Sequence, residues 1–480
     1  MDSPILGSSY VARSVNAADN RMVNLFPEIV PEAGKEPAFL SRCPGLKRKS
    51  AIGSGPIRGL WKVNDIMYAV SGDTFYKVET YGRTRLKGTA IGTVTGTGPV
   101  SMSDNGTQIF IACNPDGFIY NTSTEVFAEI TDPDFAGAVT VGYIDGYFVF
   151  NEPNSSRFWV TELLDGTSVE PLAFASAEGD PDNLVSLVVD HREVWLFGTN
   201  SVEVWYDAGT ANFPLQRIQG AFNELGCIAP YSVAKMDNSV FWLGADARGR
   251  GIVYRTNGYK GQRISTHAVE WQIQQYTDIS DALAYTYQQD GHSFYVLNFP
   301  TANTTWVYDV ATGAWHERAA FSNGEFYRHR GNNMCNFNGN IIIGDYENGN
   351  IYTFDLNVYA DNGQPQKWLR SWRALPTGAN NLTRTAQHAM QLDCETGVGI
   401  NSGQGSNPQA MLRWSDDGGH TWSNEHWKSM GRIGRFGFRT IWRRLGMTLK
   451  IRDRVYEVSG TDPVRIYIMG AELVISGTRA

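Results

Sequence analysis

The residues best placed to do chemistry lie near the C-terminal end of this 480-residue chain. Ser415-Asp416-Asp417-Gly418-Gly419-His420-Thr421-Trp422 fits the pattern S-x-D-x-G-x-T-W. In that pattern a carboxylate and two hydroxyls bond turn amides, a glycine takes the left-handed conformation, and the indole packs below. Ser415, Asp417, Gly419, Thr421 and Trp422 are therefore expected to hold a hairpin rather than to react. The window from Lys428 to Arg454 carries nine basic residues, Lys428, Arg432, Arg435, Arg439, Arg443, Arg444, Lys450, Arg452 and Arg454, against one acid, Asp453. It is +8, in a chain whose net charge is −8. Arg439, Trp442, Arg443, Arg444, Arg452 and Arg454 are the candidate contact residues. Guanidinium groups beside an indole suit three uses. They can follow the phosphates of passing DNA, anchor an acidic partner or neighbouring subunit, or form a solvated face with local ion pairs.

Other chemistries find little support. The S-x-D-x-G-x-T-W turn also occurs in sialidases, but Arg217, Arg263, Arg432 and Arg465 each precede Ile with no proline following, and only one full copy of the turn is present. Glycosidases need two carboxyls flanking the scissile bond, and 49 acids single out no pair. The eight histidines, His191, His267, His292, His316, His329, His388, His420 and His426, form no HExxH and no metal-ligand spacing. Cys43, Cys113, Cys227, Cys335 and Cys394 are odd in number and widely spaced. They read as free buried thiols rather than a zinc site or a disulfide framework. Gly92 to Gly98 lacks the Lys-Ser/Thr and the helix of a phosphate loop, and no GxSxG elbow occurs. No cofactor, no metal and no enzymatic activity are expected.

The elements that must position these residues are strands. Helical periodicity is nearly absent, glycines number 50, and aromatic residues make up 12%. Polar turns recur at Asn64-Asp65, Asp104-Asn105-Gly106, Asp145-Gly146, Asp190-His191, Asp237-Asn238, Asp290-Gly291 and Asn338-Gly339. Each is followed by an alternating apolar run such as Tyr147-Phe148-Val149-Phe150 or Val194-Trp195-Leu196-Phe197. Asp-Gly and Asn-Gly suit tight hairpins. The six intervals from Asp65 to Asn338 average about 45 residues, the period of a β-propeller blade. One blade cannot bury both faces; a closed ring can. Val307 to Glu317 also runs parallel to Ile119 to Glu129, with Tyr308 and Tyr120 each seven residues before a large ring, Trp315 and Phe127. That segment resembles the close of a kelch-type blade without the double glycine.

The expected fold is all-β: a propeller of about seven blades, with six or eight compatible, plus a terminal β-sandwich-like platform. A two-sheet sandwich is the alternative, disfavoured by the regular spacing. The expected division is an N-terminal arm over 1–54 joining the platform, a propeller over 55–371, and a platform over 372–480 opened by the polar link Pro376 to Asn381. No apolar run reaches the length of a transmembrane helix, and Met1-Asp2-Ser3-Pro4 does not open a signal peptide.

Both ends carry a family resemblance. Leu412 to Trp422, Trp442-Arg443-Arg444-Leu445-Gly446, Arg452-Asp453-Arg454-Val455-Tyr456-Glu457-Val458 and Thr461-Asp462-Pro463-Val464 resemble the C-terminal region of the tail hub or nozzle proteins of short-tailed phages, the packaged-DNA stabilisation proteins. Val23-Asn24-Leu25-Phe26-Pro27-Glu28 and Cys43-Pro44-Gly45-Leu46 resemble that family's opening. The resemblance implies a virion tail component assembled in the host cytoplasm as a homo-hexamer below the portal and adaptor rings. It implies a channel extension that helps retain packaged DNA without sequence-specific binding, contacts with adaptor and with spike, fibre or needle proteins, and no insertion into a membrane. The reading from another class is a glycan-binding or glycan-cleaving propeller, sialidase-like or part of a tail fibre.

Overall fold

The computed structural model describes residues 1–14, 17–32, 34, 36–82, 85–177, 179–210, 213–247, 249–376, 384–448 and 454–477. Most of the polar link Pro376 to Asn381 lies outside these residues, as does Arg452.

Strand-forming runs separated by left-handed turns produce hairpins, and here they produce seven consecutive blades. Their residues are 57–93, 101–129, 141–176, 184–223, 226–263, 283–317 and 331–355. The expected turn chemistry is present. Both central residues have positive φ at Asp145-Gly146, Asp237-Asn238, Asp290-Gly291 and Asn338-Gly339, as type I′ hairpins require. In the fourth blade the left-handed pair is His191-Arg192, one residue later than expected, because Asp190 pairs with Glu193. The single α-helix among the described residues, His267–Gln274, is capped by Thr266 and lies between the fifth and sixth blades.

Neighbouring blades are stitched near the axis by side chains that satisfy backbone groups. Val141 N donates to Ser101 Oγ at 3.1 Å, Leu187 N to Thr140 Oγ1 at 2.9 Å, and Ser186 Oγ to Pro230 O at 2.8 Å. The sixth blade's Thr286 donates to Lys235 O at 2.9 Å. Asn332 and Asn333 of the seventh donate to Ile57 O of the first at 3.1 and 2.9 Å, closing the circle. Closure has a second part. The outer strand of the seventh blade is Gly45–Ala51, antiparallel to Asn350–Asp355, so the two ends of the repeat region share one sheet.

The platform is a two-sheet sandwich. One sheet orders Thr440–Arg443, Thr385–Cys394, Tyr467–Gly477, Ala38–Arg42 and Leu25–Ile29, with Asp2–Ser3 also on Tyr467–Gly477. The other continues the sixth blade. Ala314–Glu317 pairs in parallel with Met22–Val23, and the sheet proceeds through Trp368–Arg373, Val455–Gly460 and Gln409–Ser415 to His426–Ser429, nine strands in all. Segment 1–54 is thus divided: part builds both platform sheets and Gly45–Ala51 belongs to the propeller. Trp368–Arg373, which straddles residue 371, is a platform strand. Trp368, Trp372 and Tyr456 are fully buried between the two sheets, each contributing about 3 kcal/mol by area.

The junction of propeller and platform is polar, and Arg42 is its best-satisfied group. The buried Arg42 donates Nη1 to Asp462 O and to Val464 O (2.9 Å), Nη2 to Tyr359 O (3.3 Å) and Gln366 O, and Nε to Gln366 Oε1 (3.3 Å). Burial pulls its pKa down to about 10. Arg21 pairs with Glu317 at 2.7 Å across the same seam.

Candidate functional site

The S-x-D-x-G-x-T-W turn joins Gln409–Ser415 to His426–Ser429, at the end of the nine-stranded sheet farthest from the ring. Gly419 N donates to Ser415 Oγ at 2.8 Å, and Ser415 Oγ donates to Asp417 Oδ1 at 2.6 Å. Thr421 N and Oγ1 donate to the two oxygens of Asp417 at 2.8 and 2.6 Å, and Trp422 Nε1 donates to Gly419 O at 3.0 Å. Gly418 and Gly419 have φ of 77° and 103°. The hydrogen bond from Ser415, then those from Thr421, hold the Asp417 carboxyl far below the usual carboxylate range. It stays ionised and occupied, a turn device rather than a proton donor.

The candidate contact residues separate into buried and exposed. Arg454 is buried: Nε and Nη2 donate to Asp416 at 2.7 and 2.8 Å, and Nη1 donates to Leu445 O at 2.7 Å. Trp442 is buried too, its Nε1 donating to His426 O at 2.7 Å. Arg439 is exposed and bonds Gln391 Oε1 through Nε at 2.9 Å. Arg443 and Arg444 are exposed, as are Lys428, Arg432 and Arg435. Among the described residues none of these five makes an ion pair. Arg452 lies outside the described residues.

Two strand edges meet here, His426–Ser429 of one sheet and Thr440–Arg443 of the other. Between them is a groove of about 210 Å³ floored by Trp414, which stacks on His426 with centroids 4.8 Å apart, and walled by Trp427, Arg443 and Arg444. Trp427, Ile433 and Phe436 stand 58%, 54% and 75% exposed. Sequence reasoning singled out none of these three apolar residues, nor Asp416. Asp416 occupies a free position of the turn pattern, so only the fold reveals its role.

A cavity lies on the propeller axis. It has a volume of about 650 Å³ and is lined by the inner strands of the seven blades. Arg58 lines it but is fully engaged, donating to the carbonyls of Gly98 (2.6 Å), Thr95 (2.8 Å), Gly72 (3.0 Å) and Val94 (3.3 Å). At the mouth Arg192 pairs with Asp145 at 2.8 Å. All five cysteines are free and buried, and burial pushes the thiols of Cys227, Cys335 and Cys394 up to about 12. Such thiols are poor nucleophiles. No group of three metal-ligating side chains occurs among the described residues. None of the described helices is long and apolar enough to cross a membrane.

Comparison with known proteins agrees with both halves of this architecture. Residues 1–359 match the family described as the bacteriophage P22 Gp10 β-propeller, and residues 367–476 match the bacteriophage P22 Gp10 β-sandwich. No curated protein matches the chain. Among solved structures, the N-terminal domain of Nup159 aligns at 12% identity over 68% of this chain and 97% of its own, with a TM-score of 0.40. The AfRom2 CNH domain aligns at 10% identity over 65% and 99%, also at 0.40. At these scores the two alignments carry no argument about function. The two family matches span most of the chain, and the protein belongs to the bacteriophage P22 Gp10 family of tail accessory and hub proteins of short-tailed phages.

Proposed function

We propose that this protein is the tail hub or nozzle of a short-tailed phage, a virion structural protein with no enzymatic activity. It assembles in the host cytoplasm as a homo-hexamer below the portal-adaptor complex, extends the DNA channel, helps retain packaged DNA and carries spike, fibre or needle proteins. The observation that carries this reading is the far edge of the platform. Lys428, Arg432, Arg435, Arg439, Arg443 and Arg444 are exposed there around Trp427, Ile433 and Phe436. Arg and aromatic side chains left without in-chain charge partners favour a protein interface. In this reading Arg439, Arg443 and Arg444 contact the adaptor or a neighbouring copy, while Arg454 and the buried Trp442 support the surface from beneath.

The axial cavity sets a condition on the conduit. A volume of about 650 Å³ is that of a small-ligand site, too small for a duplex. DNA therefore passes between copies rather than along the axis of one propeller. The acidic body favours passage without sticking, since like charge repels the phosphates.

The test is electron microscopy with native mass measurement on one sample. A sixfold ring with a central hole, near six times 53.3 kDa, is expected from the chain alone or on phage particles that carry adaptor and lack this protein. A monomer that also fails to add to such particles overturns the reading.

A further inference from the structure

The charge of this chain is divided between opposite ends of the molecule. Residues 101–176, the second and third blades, hold eleven acids and one base, Arg157. Arg157 is already paired with Glu152 at 2.7 Å. From outside the two blades only Lys77, near Glu125 at 3.5 Å, and Arg192, at Asp145, reach an acid of this arc among the described residues. Glu129, Asp132, Asp134, Glu162, Asp165 and Glu170 have no cationic partner there. Glu162 and Glu170 share a hydrogen bond that, as the first cause, raises the Glu162 carboxyl above its usual range. Like charges therefore crowd at Glu162 and Glu170, while Asp132 and Asp165 are held by hydrogen bonds from turn groups and carry no cation.

The same arc is also the most apolar part of the propeller exterior. Val126, Leu163, Leu164 and Leu172 are each more than half exposed. They lie at or beside turns that lead into the outer strands of these two blades. Exposed leucines ringed by unpaired carboxylates form a docking surface rather than a solubilising one. The platform edge has the matching composition with the sign reversed: Trp427, Ile433 and Phe436 within Lys428, Arg432, Arg435, Arg443 and Arg444.

The positions of the two surfaces decide what they meet. The platform leaves the ring at the sixth blade, and its basic edge is the last strand of the sheet that begins there. In a seven-blade ring the second and third blades stand diametrically opposite the sixth. A chain cannot bring these two ends together within itself, but a second copy can present one to the other. We propose that the basic edge of the platform docks on the acidic, leucine-bearing face of blades two and three of the next copy. The contact is head-to-tail, and such contacts close into rings when the rotation per step divides the circle. This deepens the preceding reading, on which it rests, by naming both halves of the contact between copies.

The experiment uses two double variants of the full chain. One is Glu129→Lys with Glu170→Lys; the other is Arg435→Glu with Arg443→Glu. Sedimentation and native mass are measured at low and high salt. The wild-type chain is expected to self-associate more weakly as salt rises. Each variant alone loses at least tenfold in association, and an equimolar mixture of the two recovers it, with every closed ring even-numbered. Recovery in the mixture also shows that both variants are folded. Variants that associate like the wild type, or a mixture that fails to recover, overturn the pairing. If wild-type rings persist beside such variants, the tail reading stands and only these surfaces fail. A wild-type chain that neither associates at low salt nor adds to adaptor-bearing particles overturns both.

Discussion

Arg454 and Asp416 face each other as a two-pronged ion pair, 2.7 and 2.8 Å between guanidinium nitrogens and carboxylate oxygens, with Arg454 buried and Asp416 nearly so. The pair ties the strand Val455–Gly460 to the S-x-D-x-G-x-T-W turn and brings the Arg454 guanidinium to 5.2 Å from the ring of Trp414. It fixes the floor on which the exposed arginines stand.

Asp416→Asn leaves a buried guanidinium without its counter-charge. A loss of about 3 kcal/mol is expected, read as a lower urea midpoint of the platform transition. An unchanged midpoint would show that the pair is not needed to hold the turn. Asp417→Asn, at an exposed turn position, should lower the midpoint less.

Arg42→Met removes five hydrogen bonds at the junction and leaves the carbonyls of Asp462, Val464, Tyr359 and Gln366 without this donor. Each unsatisfied group costs about 1 kcal/mol or more. The variant is expected to unfold in two steps by calorimetry, platform first, where the wild type unfolds in one.

Gly45→Ala tests ring closure. A Cβ on residue 45 would sit 2.4 Å from Ala360 O and 2.7 Å from Ala360 N, both backbone atoms that cannot swing away. The strand Gly45–Ala51 must shift from its partner in the seventh blade, at a cost of about 2 kcal/mol. Faster proteolysis between the first and seventh blades is the expected readout, and wild-type resistance would contradict it.

Acid should destabilise the chain through His316 and His329. Burial pulls His316 down to about 3 and His329 well below its usual range, with Arg318 nearby opposing a second positive charge on both. Their folded values lie below the unfolded value of about 6.5. Between these limits the unfolded chain binds more protons, so stability is complete above about pH 6.5 and lost as pH falls. Each contributes a slope of about 1.4 kcal/mol per pH unit. His292, raised first by its hydrogen bond to Asp309, works in the opposite sense, favouring the fold below pH 6.5. The change from His292 falls above about pH 6.5, so the loss below that pH is set by His316 and His329. His316→Phe should reduce the slope of midpoint against pH between 4.5 and 6.5 by about one proton.

The blades were legible because their information is local. Asp-Gly or Asn-Gly at a hairpin tip and the alternation after it act over ten residues, and a period of about 45 needs only counting. Closure was not legible, since Gly45–Ala51 meets Asn350–Asp355 across about three hundred residues with no pattern linking them. Nor could the basic window be sorted from its letters. Arg443 and Arg454 look alike in sequence, yet one is exposed and the other buried on Asp416, and only Asp416's place in the turn separates them.

The nine-stranded sheet makes the molecule a beam. A torque applied at His426–Ser429 travels strand by strand to the sixth blade, whose inner residues Leu283 and Ala284 line the axial cavity. The joints in this beam are ladders of four or more residue pairs except at Met22–Val23, which meets Trp368–Arg373 through two pairs and Ala314–Glu317 through the single pair Glu317 and Val23. Under load that splice fails first, and the 2.7 Å ion pair between Arg21 and Glu317 is its rivet. Pulled from the platform edge, the chain should yield at this splice while both halves stay folded.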